Sequence, residues 1–134
     1  MSNLIKFFRY WFPLIIYCIF IFIQSSFPSI ESVPELPYID KLLHFFAYAV
    51  LGAFFLRAYK TLRVRNNLKL LIILSVLSSS LYGISDEIHQ HFVPYRSFEY
   101  FDILADVLGS LFGVFIYQYI TARFIDNRFK SLFL

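Results

Sequence analysis

Four apolar runs constrain this chain more than any other feature: Tyr10 to Ile23, Leu42 to Leu56, Leu70 to Ile84 and Val107 to Ile120. Each is 14 or 15 residues long, whereas a helix crossing a bilayer needs about 20. For the last three runs, polar neighbours supply the missing length: Asp40 and Lys41, then Ser85 to Gln90, then Asp102 to Asp106. Those residues are therefore read as helix extensions at headgroup depth. In lipid, only helices or a closed barrel satisfy every backbone polar group, and unbroken apolar runs select helices. The expected fold is all-α: one domain over 1–134, a bundle of four transmembrane helices, spanning approximately 7–24, 40–58, 68–90 and 99–122.

The residue balance agrees. The chain is 59% apolar and only 16% charged, against about 25% charged in soluble domains. The net charge of +3 does not point to nucleic acid, because the basic residues flank apolar runs instead of alternating with exposed aromatics. Lys6 and Arg9 precede the first run; Arg57, Lys60, Arg63, Arg65 and Lys69 separate the second from the third; Arg123, Arg128 and Lys130 follow the last. Basic residues stay on the cytoplasmic side, so both termini are expected there, in a multi-pass protein of the plasma membrane. Only Lys41 and Arg96, but eight of the nine acids, fall on the other side. The first run could instead be a secretory signal, but "IQSSFPS" interrupts the small-residue cleavage pattern, and a retained span is preferred. Pro28, Pro34 and Pro37 predict a stiff link to the second span. Cys18, within the first run, reads as a small buried hydrophobe.

The stretch "YGISDEIHQHFVPYRSFEYFDILAD", residues 82–106, concentrates five acids, two histidines and an arginine between apolar runs. Helical spacing aligns Asp40, His44, Ala47 and Leu51, with Tyr48 at the margin. It aligns Ser75, Ser79, Tyr82, Asp86 and Gln90, with Glu87 beside them, and Asp102, Asp106, Gly109, Gly113 and Tyr117. Facing lipid would cost an ionisable residue several kcal/mol, so the three stripes are expected to face one another. "GSLFG" reads as a packing motif for close helix approach. The stripes converge on an outward pocket holding Asp40, His44, Tyr48, Asp86, Glu87, Gln90, Asp102 and Asp106, with Arg96 arriving from the loop.

Clustered carboxylates at low dielectric need neutralising, and three solutions are open. Lys41, Arg96 and His44 could form a salt-bridge clasp. A divalent cation could sit among Asp40, His44, Asp86 and Asp106, although no metal-ligand spacing is diagnostic: "DEIHQH" puts His89 and His91 two apart, on different helical faces. A cationic group of a ligand could complete the set. Acid–base chemistry is also open, with His44 one turn from Asp40.

"DKLLHFFAYAVLG" (40–52), "SDEIHQHFVPYR" (85–96) and "DILADVLGSLFG" (102–113) together resemble the VanZ-like family of small integral membrane proteins. The match falls on Asp40, Lys41, His44, Tyr48, Asp86, Glu87, Gln90, Arg96, Asp102 and Asp106. Two departures stand out: the loop usually reads "VPGR", with glycine where Tyr95 stands, and Asp106 replaces a usual asparagine. The resemblance implies work at the cell envelope and a family link to resistance against the glycopeptide teicoplanin. Binding of a lipid headgroup, a lipid-linked wall precursor or an amphiphilic glycopeptide is the leading expectation; a metal-assisted hydrolase or transferase and a purely structural clasp are the alternatives.

Overall fold

The computed structural model describes residues 3–28 and 38–132, with side chains over 4–28 and 38–124. Four helices form the described chain. The first, α1, comprises Asn3–Lys6, a π-helical segment Phe7–Trp11 and Phe12–Ser25; α2 is Ile39–Tyr59, α3 Leu68–Gln90 and α4 Tyr100–Leu132. Each contains a stretch long and apolar enough to cross a membrane. Their outward faces carry large apolar side chains along their length, among them Phe20, Leu77, Leu81 and Phe115. Water would penalise such faces, whereas lipid accommodates them. The expected proline link is described only at Pro28, past the end of α1; Pro34 and Pro37 lie outside the described residues.

Local chemistry explains the helix ends and the one irregularity. Pro13 has no N–H to offer the carbonyl of Arg9, and its ring crowds that carbonyl. The helix widens just before it, with Phe12 N–H reaching back to Phe7 O. Arg57 of α2 donates from Nη2 to the released Arg9 carbonyl at 3.0 Å. Asn67 caps α3, its side chain accepting from Leu70 N–H at 3.0 Å. Asp40 and Asp102 lie in the first turns of α2 and α4, where the helix dipole favours negative charge.

Helices α2 and α4 run parallel and meet through small residues. A Cβ on Gly109 would collide with the backbone of Phe45, and one on Gly113 with the backbone of Ala49. Helix α3 runs antiparallel to α4; Ser110 Oγ donates to Ser79 Oγ at 2.7 Å between them. Helix α1 lies antiparallel along α2, burying only Leu14, Ile21 and Ser25. Trp11 Nε1–H donates to Thr61 Oγ1, and Tyr17 and Tyr82 donate to the carbonyls of Ala47 and Cys18. One end of the bundle thus collects the N-termini of α2 and α4 with the C-termini of α1 and α3. Arg9, Arg57 and Lys60 occupy the opposite end, where aromatic rings and neutral oxygens are their partners among the described residues.

The turn between α3 and α4 gives the Tyr95 departure a physical meaning. Tyr95 has φ of 62°, in the left-handed region, which costs a residue with a Cβ roughly 1 kcal/mol or more. Its side chain is exposed, so little packing offsets that cost. Tyr95→Gly is expected to stabilise the detergent-solubilised protein by about 1 kcal/mol, read by thermal unfolding; a lowered melting temperature would mean that the ring makes a stabilising contact with the amphiphile around it.

Candidate functional site

At the polar end, the buried stripes of the three packed helices interlock. Helix α3 buries Asp86, Glu87 and Gln90; α4 buries Asp102, Asp106 and Ser110; α2 contributes Lys41, His44 and Tyr48. Tyr48, expected at the margin of its stripe, is 1% exposed, because it joins the core cluster that Leu14 and Ile21 of α1 form with Leu51, against which Tyr82 of α3 packs. Ser110, absent from the expected stripes, is fully buried between Ser79 Oγ and the Asp106 carbonyl.

Two ionic groupings occupy this volume. In the first, Lys41 Nζ hydrogen-bonds Glu99 and lies 3.0 Å from Asp102 Oδ1 and 3.5 Å from Asp40 Oδ2. In the second, His44 Nδ1 meets Asp106 Oδ1 at 2.9 Å, while Nε2 lies 3.9 Å from Glu87 Oε1. Glu87 and Asp106 side chains are fully buried. The other Glu87 oxygen, Oε2, accepts from the backbone N–H of Glu99 at 3.0 Å, tying α3 to the start of α4. Glu99 is the acid that the sequence reading left out of the site. Its position three residues before Asp102, off the expected stripes, gives no sign of its reach to Lys41.

Arg96 takes neither route. Its Nη1 donates to Gln90 Oε1 at 2.9 Å and its Nε to the Phe27 carbonyl at 3.0 Å, and it makes no ion pair among the described residues. Gln90 passes the connection on, donating from Nε2 to Asp86 Oδ2 at 3.0 Å. His89 and His91 stand apart from the acids: His89 stacks on Phe22 and reaches Ser26 Oγ, and His91 is exposed.

The ligand atoms that converge within 4.8 Å of one another belong to Asp40, His44 and Asp102. That set differs from the expected Asp40, His44, Asp86 and Asp106, because Asp86 is turned towards Gln90 and Asp106 is held by His44. The Lys41 ammonium already sits against two of the three converging groups, so a divalent ion there would compete with a covalently tethered cation.

On the α1 side of His44, a cavity of about 150 Å³ opens between α1, α2 and α3. Its lining is part apolar (Phe20, Ile21, Leu43, Ala47) and part polar, with Gln24 and Ser25 of α1 joining Asp40, His44, Tyr48, Asp86, Gln90 and Arg96. Six of the nine expected site residues line it; Glu87, Asp102 and Asp106 lie behind His44 in the ionic groupings.

This architecture has relatives. The family model described as VanZ/LLP1 matches residues 5–122. The chain belongs to the VanZ/LLP1 family. Among curated proteins, this VanZ/LLP1 chain is similar to the uncharacterized protein C11E3.10 of Schizosaccharomyces pombe, at 30% identity over 91 residues. That alignment covers 68% of this chain and 54% of the relative, so the match takes in about half of the relative's length. No solved structure matches. The membership and the four apolar helices make this a multi-pass VanZ-like membrane protein.

Proposed function

We propose that this VanZ/LLP1 protein binds the headgroup of a membrane amphiphile in the cavity between α1, α2 and α3, on the extracytoplasmic side of the plasma membrane. The observation carrying this reading is the cavity itself. Its lining is part apolar and part polar, and Tyr48, one of the lining residues, buries its hydroxyl without a hydrogen-bond partner among the described residues. A buried polar group left unpaired costs about 1–3 kcal/mol, a cost that a ligand atom would offset. At about 150 Å³ the space lies below the roughly 300–1,000 Å³ of drug-sized pockets, which favours a headgroup over a whole glycopeptide or the bulk of a wall precursor. The outward orientation rests on the basic residues at the opposite end, following the positive-inside tendency.

Ala47→Phe tests the reading by filling the cavity from its apolar wall without altering charge. The folded variant is expected to lose at least about tenfold in phospholipid affinity, measured by native mass spectrometry of detergent-solubilised protein. Arg96→Gln approaches the same question from the polar side. Undiminished phospholipid binding by the folded Ala47→Phe variant would sink the proposal.

A second reading is favoured by the His44–Asp106 contact, which orients an imidazole lining the cavity. That arrangement suits acid–base chemistry on a bound lipid. Release of a headgroup or acyl product from the bound phospholipid, lost in His44→Gln, would favour it over binding alone.

A further inference from the structure

We infer that the cavity selects a zwitterionic headgroup in which a phosphate is followed by a primary amine, the ammonium seated between Asp86 and Tyr48 and the phosphate facing Arg96. The inference rests on the headgroup reading above and specifies its chemistry.

Charge distribution carries it. Among the described residues, Lys41 serves Asp40, Glu99 and Asp102, and His44 serves Asp106 and Glu87. Asp86 is the buried acid of the site left without an ion-pair partner. It is 4% exposed, and one of its oxygens accepts from the neutral Gln90 amide; the other has no partner among the described residues. Tyr48, which also lines the cavity, has a hydroxyl equally without a partner among the described residues. A carboxylate and a phenolic oxygen are both acceptors, and a primary ammonium offers three donors with a charge opposite to that of Asp86. A charge-assisted hydrogen bond of this kind is roughly twice as strong as a neutral one.

The same count argues against the competing headgroups. A trimethylammonium carries the charge but no N–H, leaving both acceptors unsatisfied. A phosphoglycerol headgroup would bring its negative charge towards Asp40 and Asp86 with no positive group of its own to meet them. Arg96 is the one guanidinium lining the cavity, and only its Nη1 and Nε are engaged by Gln90 and Phe27. The phosphate therefore has a cation to meet, and the amine an anion. Phe20, Ile21, Leu43 and Ala47 extend the cavity with an apolar wall, against which the proximal part of an acyl chain would lie.

The test is a titration of the full chain in non-ionic detergent with short-chain phosphatidylethanolamine, phosphatidylcholine and phosphatidylglycerol of matched acyl length, and with O-phosphoethanolamine lacking acyl chains. Phosphatidylethanolamine is expected to bind at least about tenfold more tightly than the choline and glycerol lipids. Asp86→Asn and Tyr48→Phe, both close in shape to the native residues, are each expected to bring that preference within about twofold by weakening phosphatidylethanolamine binding. Should the wild type bind all three lipids equally, with Ala47→Phe abolishing each, the headgroup reading would survive and the amine selectivity would be overturned. If no lipid bound, or if Ala47→Phe changed nothing, the headgroup reading itself would fall. O-phosphoethanolamine binding as tightly as the lipid would overturn the role given to the apolar wall.

Discussion

Gly113→Leu is expected to prevent assembly of the bundle, giving aggregated or protease-sensitive protein in detergent, and Gly113→Ala a folded but weakened one. The reason is the contact between α2 and α4. A Cβ at Gly113 would overlap the backbone of Ala49, and at Gly109 that of Phe45. Backbone cannot rotate aside as a side chain can, so the helices must separate. Alanine gains about 1 kcal/mol over glycine in helix propensity, but overpacking typically costs about 1–3 kcal/mol, and here the whole interface moves. The site moves with it, because Lys41 and His44 reach Asp102 and Asp106 across this same seam. Gly113→Ala should therefore lower both the melting temperature and phospholipid affinity. A wild-type melting temperature and affinity for Gly113→Ala would mean that the two helices are not held this closely.

That seam also marks the limit of what could be read from the chain. Four spans, their polar extensions and the convergence of α2, α3 and α4 follow from apolar run length and 3.6-residue spacing, and the observed helices agree. "GSLFG" identified itself as a packing motif, since glycines four apart form a flat strip. What spacing could not supply was the partner of each charge. Asp40, Asp102 and Asp106 lie one helical turn apart in pairs or across helices, but which of them Lys41 or His44 would reach depends on rotation of α2 against α4. That rotation is fixed by the glycines meeting Phe45 and Ala49. It brought Glu99, outside every stripe, onto Lys41, while Tyr48, expected at a margin, is buried in the cluster with Leu14 and Ile21 of α1. Proline chemistry accounts for the helix distortion before Pro13, which was not expected from the sequence, and its repair by Arg57 needed α1 and α2 side by side.

His44→Ala is expected to be among the most destabilising substitutions in the polar site, and its remedy discriminates between two explanations. His44 stands between Asp106 and Glu87, whose carboxylates are fully buried. Removing one partner from a buried ionic group typically costs about 3–5 kcal/mol, mostly from the charge left unpaired. Replacing the group as a whole is far less costly, because no charge is stranded. Asp106→Asn alone should be mild, because an amide oxygen can still accept from His44 Nδ1. The combination His44→Ala, Asp106→Asn and Glu87→Gln is then expected to recover about half or more of the stability lost in His44→Ala, measured by thermal unfolding in one detergent. His44 also stacks on Tyr48, with ring centroids 6.2 Å apart and planes within 2°. If the triple variant proved no more stable than His44→Ala, packing against Tyr48 and the α2–α4 seam, and not charge compensation, would be what the imidazole supplies.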